Sequence, residues 1–395
     1  MISKKDKYEI CIIGGLGHVG LPLGIYFSDK GVKVCCYDIN ESLMGKVKNG
    51  QMPYIEKDSN SLLKKNIKNK NLSFSSDPKS ITISKQIIIA IGTPVDQFQN
   101  PQISNFLKTI DYLKPYFKNT QLIIVRSSVY PRICKKINNI LGENLDIDLA
   151  YCPERIVQGA AFEELGKLPQ VISGFSDTAI KRASSLFKLI TNKIVYATVE
   201  EAELMKLFSN SWRYIQFAVA NQFFMIANDY GEDFNKIRKI MIKDYDRAKE
   251  IPSAGFTAGP CLLKDTMQLS FFSNNNFFLG QAAMNINEGL PSYIINNLKL
   301  NNNLNGINIG IIGMAFKADI DDSRDSLSYK LKKILLFEGA NVFCSDPYVN
   351  DERLIDLEIL IARCSIIIVG APHKCYKNLK ISGKKIVDIW NILDN

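Results

Sequence analysis

The chain carries only two histidines in 395 residues, and none of its nine cysteines (positions 11, 35, 36, 134, 152, 261, 344, 364 and 375) forms a C-x-x-C pair. So few imidazoles and no paired thiols argue against a zinc site, and an odd, scattered cysteine set argues against a disulfide framework. No apolar run approaches the length that spans a bilayer. The N-terminus passes from Lys4 and Lys5 directly into a strand-like Tyr8–Ile13 and a glycine turn, unlike a secretory leader. The lysines are scattered, with no basic run interleaved with aromatics, which speaks against nucleic acid. These absences lead us to expect a cytoplasmic, reduced protein with no metal and no membrane or nucleic-acid partner.

What is present is an ordinary globular balance, 46% hydrophobic and 23% charged, with a net charge of +9 that favours an anionic ligand. The length exceeds one ordinary core and predicts two or three domains.

Tyr8–Ile13 reads as a buried parallel strand, followed by Gly15-Leu-Gly-His-Val-Gly20, a helix over Leu21–Lys30, a second strand over Val32–Tyr37, and Asp38. This is the G-x-G-x-x-G pattern with both flanking strands and its acid. The turn formed by Gly15, Gly17, His18, Val19 and Gly20 brings backbone N–H groups close to a pyrophosphate at a helix N-terminus. Asp38 is placed to accept from a ribose 2′-hydroxyl and would repel a 2′-phosphate, so NAD is expected over NADP. Further strands are expected at Leu72–Phe74, Gln86–Ile91, Gln121–Val125, Ile147–Tyr151 and Gln170–Ser173, with a helix over Ser104–Phe117. The alternation predicts a doubly wound α/β domain over residues 1–198. Its candidate functional loops follow strand ends: Gly92-Thr-Pro94, Arg126-Ser-Ser-Val-Tyr-Pro131 and Cys152-Pro-Glu-Arg-Ile-Val-Gln-Gly159.

Glu200–Tyr230 reads as one long helix with Lys206 and Asn210 on a shared face. It is apolar on more than one side, which predicts burial, with a subunit interface as one way to achieve it. Asp244-Tyr-Asp-Arg247 is a candidate anion contact. Gly255-Phe-Thr-Ala-Gly-Pro-Cys-Leu-Leu-Lys-Asp265 then sets Cys261 on a glycine- and proline-shaped loop with Lys264 and Asp265 just behind it. A lone cysteine is ordinarily a small buried hydrophobe, so a nucleophile here needs a partner cation. Thr266–Leu300 is mostly helical, with a break at Asn274–Asn276, and ends the middle region at residue 300. A second α/β unit over 301–395 follows: strands at Ile307–Ile312, Asn341–Ser345, Ile366–Val369 and Lys385–Ile389, and a helix over Ser326–Glu338. It lacks a second G-x-G-x-x-G. Asp346-Pro-Tyr348 is placed either to cap the next element or to line a crevice.

Four stretches in order resemble the UDP-glucose/GDP-mannose dehydrogenase family, the NAD-dependent nucleotide-sugar 6-dehydrogenases. They are Gly15-Leu-Gly-His-Val-Gly-Leu-Pro-Leu23, Glu201-Ala-Glu-Leu-Met-Lys-Leu-Phe-Ser-Asn210, Ala258-Gly-Pro-Cys-Leu-Leu-Lys-Asp265 and Ala315-Phe-Lys-Ala-Asp-Ile-Asp-Asp-Ser-Arg324. The resemblance covers essentially the whole chain. It implies two Rossmann-like domains joined by a long central helix and a helical middle domain, over 1–198, 199–300 and 301–395, and a homodimer built on that helix.

The resemblance also implies the chemistry. A sugar C6 alcohol is oxidised to a carboxylate with two NAD, through a thiohemiacetal and thioester on Cys261. Lys206 would supply the cation and, with Asn210, stabilise an oxyanion, while Asp265 would position water or act as base. Glu154 and Ser128 would contribute to water activation and nicotinamide positioning; Thr93, Lys264 and Arg324 would contact NAD. Arg155, Arg247, the segment holding Pro252 and Ser253, and Lys317 would bind the nucleotide sugar, Arg247 reaching a partner subunit.

The sequence departs from the family pattern at Ser128, Ala258 and Gln158. Pro153-Glu-Arg-Ile-Val-Gln-Gly159 resembles the branch acting on UDP-N-acetylhexosamines, which favours UDP-N-acetylmannosamine or UDP-N-acetylglucosamine, whereas Lys264-Asp265 resembles the UDP-glucose and GDP-mannose branches. A two-electron dehydrogenase explains the glycine turn but leaves Cys261 idle. A non-catalytic nucleotide-sugar-binding protein leaves the Cys–Lys–Asn–Asp set unexplained.

Overall fold

The computed structural model describes residues 7–96, 100–257 and 259–393; the Lys4–Lys5 start and Ala258 lie outside the described residues. The chain divides into two compact units, one up to Phe208 and one from Ser209. The division falls inside the helix Val199–Asp229, which runs unbroken for 31 residues.

The first unit is built on an eight-stranded sheet: β1 Tyr8–Ile13, β2 Val34–Tyr37, β3 Leu72–Ser75, β4 Ser84–Ile89, β5 Leu122–Val125, β6 Asp148–Tyr151, β7 Gln170–Gly174 and β8 Ile194–Tyr196. Their order is β3-β2-β1-β4-β5-β6-β7-β8. Ile10 and Ile12 pack into one core and Cys11 and Ile13 into another, because the strand alternates side chains between two covered faces. The order reverses beside β1, so the loops after β1 and β4 flank a crevice at the strands' C-terminal edge. The expected strands lie within two residues of their observed limits, and β8 is an addition to them.

One departure matters. β7 pairs antiparallel with β6 and parallel with β8, so the last two strands run against the rest. The connection 152–169 explains this. Glu56 accepts the N–H groups of Gly159 at 2.9 Å and Ala161 at 2.7 Å, holding the connection at the edge where β6 ended. β7 therefore re-enters the sheet from that same edge.

The second unit carries a four-stranded parallel sheet, β9 Asn308–Ile312, β10 Asn341–Ser345, β11 Ile366–Val369 and β12 Lys385–Val387, in the order β10-β9-β11-β12. The helices Leu262–Phe272 and Phe278–Leu300 precede it. The break between them comes where Asn274 and Asn275 take φ of 53° and 60°, the left-handed region that asparagine tolerates. A buried amide relay fixes the cysteine loop. Asn287 Nδ2 donates to Tyr214 O at 3.0 Å, Asn221 Nδ2 donates to Asn287 Oδ1 at 2.8 Å, and Asn221 Oδ1 accepts from Gly255 N at 2.8 Å. Both asparagines are fully buried, so each broken link would strand a polar group.

Candidate active site

In the first unit the glycine turn closes on itself. Gly14 and Gly15 each donate to Tyr37 O at 3.0 Å, and Gly17 donates to Gly14 O at 3.2 Å. Gly14 has φ +76°, and a Cβ there would stand 2.7 Å from Ala90 O. A Cβ on Gly15 would stand 2.6 Å from Cys36 Cα, whereas one on Gly17 would meet only Gly14 O at 3.5 Å. The conformational demand therefore falls on Gly14, which the G-x-G-x-x-G pattern begins one residue too late to include. The helix Gly20–Asp29 has no side-chain cap at Val19 and no acid in its first turn. No acid therefore offsets the positive end of its dipole, although Leu21 N and Leu23 N are already taken by Gly17 O and Val19 O and Pro22 has no N–H. Asp38 Oδ2 accepts Leu16 N at 3.0 Å and Oδ1 accepts Asn40 N at 3.0 Å, which fixes the carboxylate at the end of β2. Tyr54 braces the turn, donating to Gly17 O at 2.9 Å with its ring 3.9 Å from that of His18. A tight glycine cradle, the positive end of a helix with no acid in its first turn, and a fixed acid fit a dinucleotide pyrophosphate and ribose.

The next loops meet at the same edge. Thr93 Oγ1 donates to Ser128 O at 2.5 Å, and Ser127 Oγ donates to Ile91 O at 2.7 Å, so the loops after β4 and β5 are tied side by side. Glu154 is buried. Its Oε2 accepts Arg126 Nε at 3.1 Å and Nη2 at 2.5 Å, and its Oε1 accepts Arg155 N at 2.7 Å and Ile156 N at 3.1 Å. Those four bonds fill the carboxylate's acceptor positions. Arg126, fully buried, also donates to Gln170 Oε1 at 2.8 Å and Cys152 O at 2.9 Å, so one guanidinium ties together the ends of β5, β6 and β7. Arg155 is half-buried and bonds Pro169 O.

Lys206 and Asn210 stand one turn apart on the long helix and are both buried, at 8% and 7% exposure. A turn earlier on that helix, Glu203 reaches the loop after β5. Its carboxylate accepts Arg132 N at 2.6 Å and Cys134 N at 3.0 Å, capping the helix Ile133–Gly142. Burial pushes the Glu203 carboxyl up, against the pull of those two N–H groups.

In the second unit Cys261 is exposed and occupies the N-cap of the helix Leu262–Phe272. Asp265, in its first turn, is fully buried; Asn210 Nδ2 donates to its Oδ2 at 2.6 Å, and Lys264 Nζ lies 2.6 Å from its Oδ1. Gly259 has φ +103°, and a Cβ on it would stand 2.5 Å from Phe316 Cδ2, so the cysteine loop packs directly on the Ala315–Arg324 stretch. Arg324 is bound to Asp322, 2.6 Å from Nη2 to Oδ2. Those bonds raise its guanidinium above the ordinary range, and Cys261 lies close enough to add to the shift. Pro252 and Ser253 are half-buried in the segment leading to Ala254. Arg247 is exposed, 5.8 Å over the Tyr245 ring, and Lys317 is half-buried in the loop after β9.

Sequence reasoning did not single out Gly14, Glu56, Glu203, the amide relay or the proximity of Arg324 to the thiol. Only Gly14 left a local trace, as the first of the pair Gly14-Gly15. Among the described residues no group of three His, Cys, Asp or Glu is placed to hold a metal, and no helix is long and apolar enough to cross a membrane.

Comparison with known proteins agrees with this geometry. The chain matches the UDP-glucose/GDP-mannose dehydrogenase family over all three of its models: NAD binding domain, residues 8–191; central domain, 200–289; UDP binding domain, 310–395. A UDP-N-acetyl-D-mannosamine dehydrogenase of Methanococcus maripaludis is 29% identical, the alignment covering 99% of this chain and 94% of that one. One from Methanocaldococcus jannaschii is 29% identical over 98% and 93%. The structure of a UDP-D-ManNAc dehydrogenase from Pyrococcus horikoshii superposes with a TM-score of 0.90 at 27% identity, covering 98% of this chain and 96% of that one. With an NAD cradle and a nucleotide-sugar module on one chain, this protein belongs to the UDP-glucose/GDP-mannose dehydrogenase family of NAD-dependent nucleotide-sugar dehydrogenases.

Proposed function

We propose that the chain oxidises the C6 hydroxyl of a UDP-N-acetylhexosamine to a carboxylate, UDP-N-acetyl-D-mannosamine first among candidates, without releasing the aldehyde. The observation that carries this reading is the exposed Cys261 thiol at a helix N-terminus whose first turn holds a buried, Asn210-bound Asp265. The names of the relatives support the choice of sugar.

NAD, when bound, supplies the hydride acceptor, twice per sugar. The C6 alcohol loses a proton and a hydride to become an aldehyde. The Cys261 thiolate adds to that carbon to form a thiohemiacetal, and loss of a second hydride leaves a thioester. Water then cleaves the C–S bond, releasing the carboxylate and restoring the thiol. The helix N-terminus and the Lys206 ammonium favour the thiolate, and Lys206 and Asn210 stabilise the oxyanion. Asp265 takes the proton of the attacking water. Ser128 orders the nicotinamide, and Glu154, held by Arg126, fixes the loop that faces the reacting water; Gly15, Gly17, His18, Val19, Gly20, Asp38, Thr93, Lys264 and Arg324 hold NAD. Arg155, Arg247, Pro252, Ser253 and Lys317 hold the nucleotide sugar. Residues 1–198, 199–300 and 301–395 divide this labour as NAD-binding, central and nucleotide-binding domains. A homodimer forms over the long helix, whose outer stripe of Trp212, Val219, Phe223 and Ile226 is exposed.

The test is stoichiometric. Purified protein is incubated with NAD and a panel of UDP- and GDP-sugars, and NADH is counted against uronate. Two NADH per uronate, with net oxidation lost in Cys261→Ser, is the expected result. One NADH, with an aldehyde or ketone as end product, would replace this reading with a two-electron dehydrogenase.

A further inference from the structure

The second unit holds a buried polar cluster that the proposed chemistry does not use. His373 is fully buried in the loop after β11. Its Nδ1 accepts the backbone N–H of Asp319 at 2.9 Å, and its Nε2 lies 3.0 Å from Asp346 Oδ2. An Nδ1 that accepts from an N–H carries no proton, so the proton sits on Nε2 and is donated to the carboxylate.

That tautomer joins three loops. Asp319 belongs to the loop after β9, His373 to the loop after β11, and Asp346 ends β10. In the order β10-β9-β11-β12 the chain reverses between β9 and β11, so the first two loops flank the crevice of this sheet. Asp319 returns the tie from its side chain: Oδ1 accepts Lys374 N at 2.9 Å, and Oδ2 lies 3.2 Å from Lys374 Nζ. Asp319 itself takes φ +57°, in the left-handed region that aspartate tolerates. Tyr348 and Tyr376 close on the imidazole edge-on, at 5.0 and 5.5 Å between ring centroids. Lys317 lies two residues before Asp319 on the same loop.

We propose that His373 is a positioning residue for nucleotide-sugar binding: through its bond from Asp319 N it holds the loop bearing Lys317 at the crevice between β9 and β11. The inference rests on reading this domain as the nucleotide-sugar site.

Two substitutions separate the two ring nitrogens. His373→Asn keeps an acceptor where Nδ1 sits; His373→Gln keeps only a donor where Nε2 sits. UDP and NAD are titrated separately by calorimetry on the full-length protein. Loss of one such bond is expected to weaken UDP about tenfold in His373→Gln, with His373→Asn within about threefold of wild type and NAD affinity unchanged in both. Equal UDP affinity in all three proteins, equal losses in the two variants, or parallel loss of UDP and NAD would each overturn the inference while leaving the domain's role intact. Wild-type protein that takes up NAD but no UDP would instead overturn the reading on which the inference stands.

Discussion

Asn210 donates its side-chain amide to the Asp265 carboxylate at 2.6 Å, joining the long helix to the helix that begins at Cys261. The carboxylate is fully buried, so this bond and the neighbouring Lys264 ammonium replace the water it has lost.

Substitution Asn210→Asp would place two carboxylates within hydrogen-bonding distance, and such a pair cannot ionise fully. We expect a lower urea midpoint than for Asn210→Ala at pH 8, with the gap narrowing at pH 5 as the pair shares a proton. Asn210→Ala itself should cost about 1–3 kcal/mol, the penalty for an unmet buried acceptor. Equal midpoints for the two variants at pH 8 would refute the coupling.

Gly259 leaves no room for a methyl group against Phe316. Gly259→Ala must shift the loop or the ring at a φ that only glycine holds without strain, about 1–3 kcal/mol. Turnover should fall at least about tenfold. An unaltered kcat would show that the loop tolerates displacement.

Glu203 gives a pH signature of unusual sign. Burial raises its carboxyl above the ordinary 4.5, so the folded state binds more protons than the unfolded one across the window above that value. Its contribution to stability therefore falls as pH rises through the window. Urea midpoints of wild type minus Glu203→Gln should shrink from pH 4.5 upward. A difference that grows with pH would reverse the assignment.

The exposed stripe Trp212, Val219, Phe223 and Ile226 predicts self-association. Sedimentation velocity should show a dimer for wild type and monomer for Trp212→Glu. Wild type that sediments as a monomer at micromolar concentration would remove the homodimer from the proposal.

The strands were legible because their signal is local. Tyr8–Ile13 and Ile366–Val369 are short apolar runs next to glycine, and the glycine turn with Asp38 is a pattern within one βαβ unit. The Asn274–Asn275 break was equally local, a matter of backbone preference. The reversal of β7 was not legible, because it depends on the path of the 152–169 connection, which is tied to Glu56 more than a hundred residues away. Glu203 was hidden for the same reason: a glutamate in a helix looks solvated until the capped helix, 69 residues upstream, is in place. The candidate catalytic residues came through family motifs, and no periodicity in the chain would have paired Asn210 with Asp265.

Asp38 and Asp346 end equivalent strands, and each binds the glycine turn beside it: Leu16 N at 3.0 Å in one case, Met314 N at 2.5 Å in the other. There the likeness stops. Asp346 is sealed from solvent and accepts from Ala315, Tyr348, Val349 and His373 as well, which together with its bond to His373 outweigh burial and hold its pKa down at about 2. Asp38 has only Leu16 and Asn40 among its described donors, one bond to each oxygen, which leaves each a further acceptor position. A saturated acid has no acceptor left for a ribose hydroxyl, so two sheets of common design offer a nucleotide different partners.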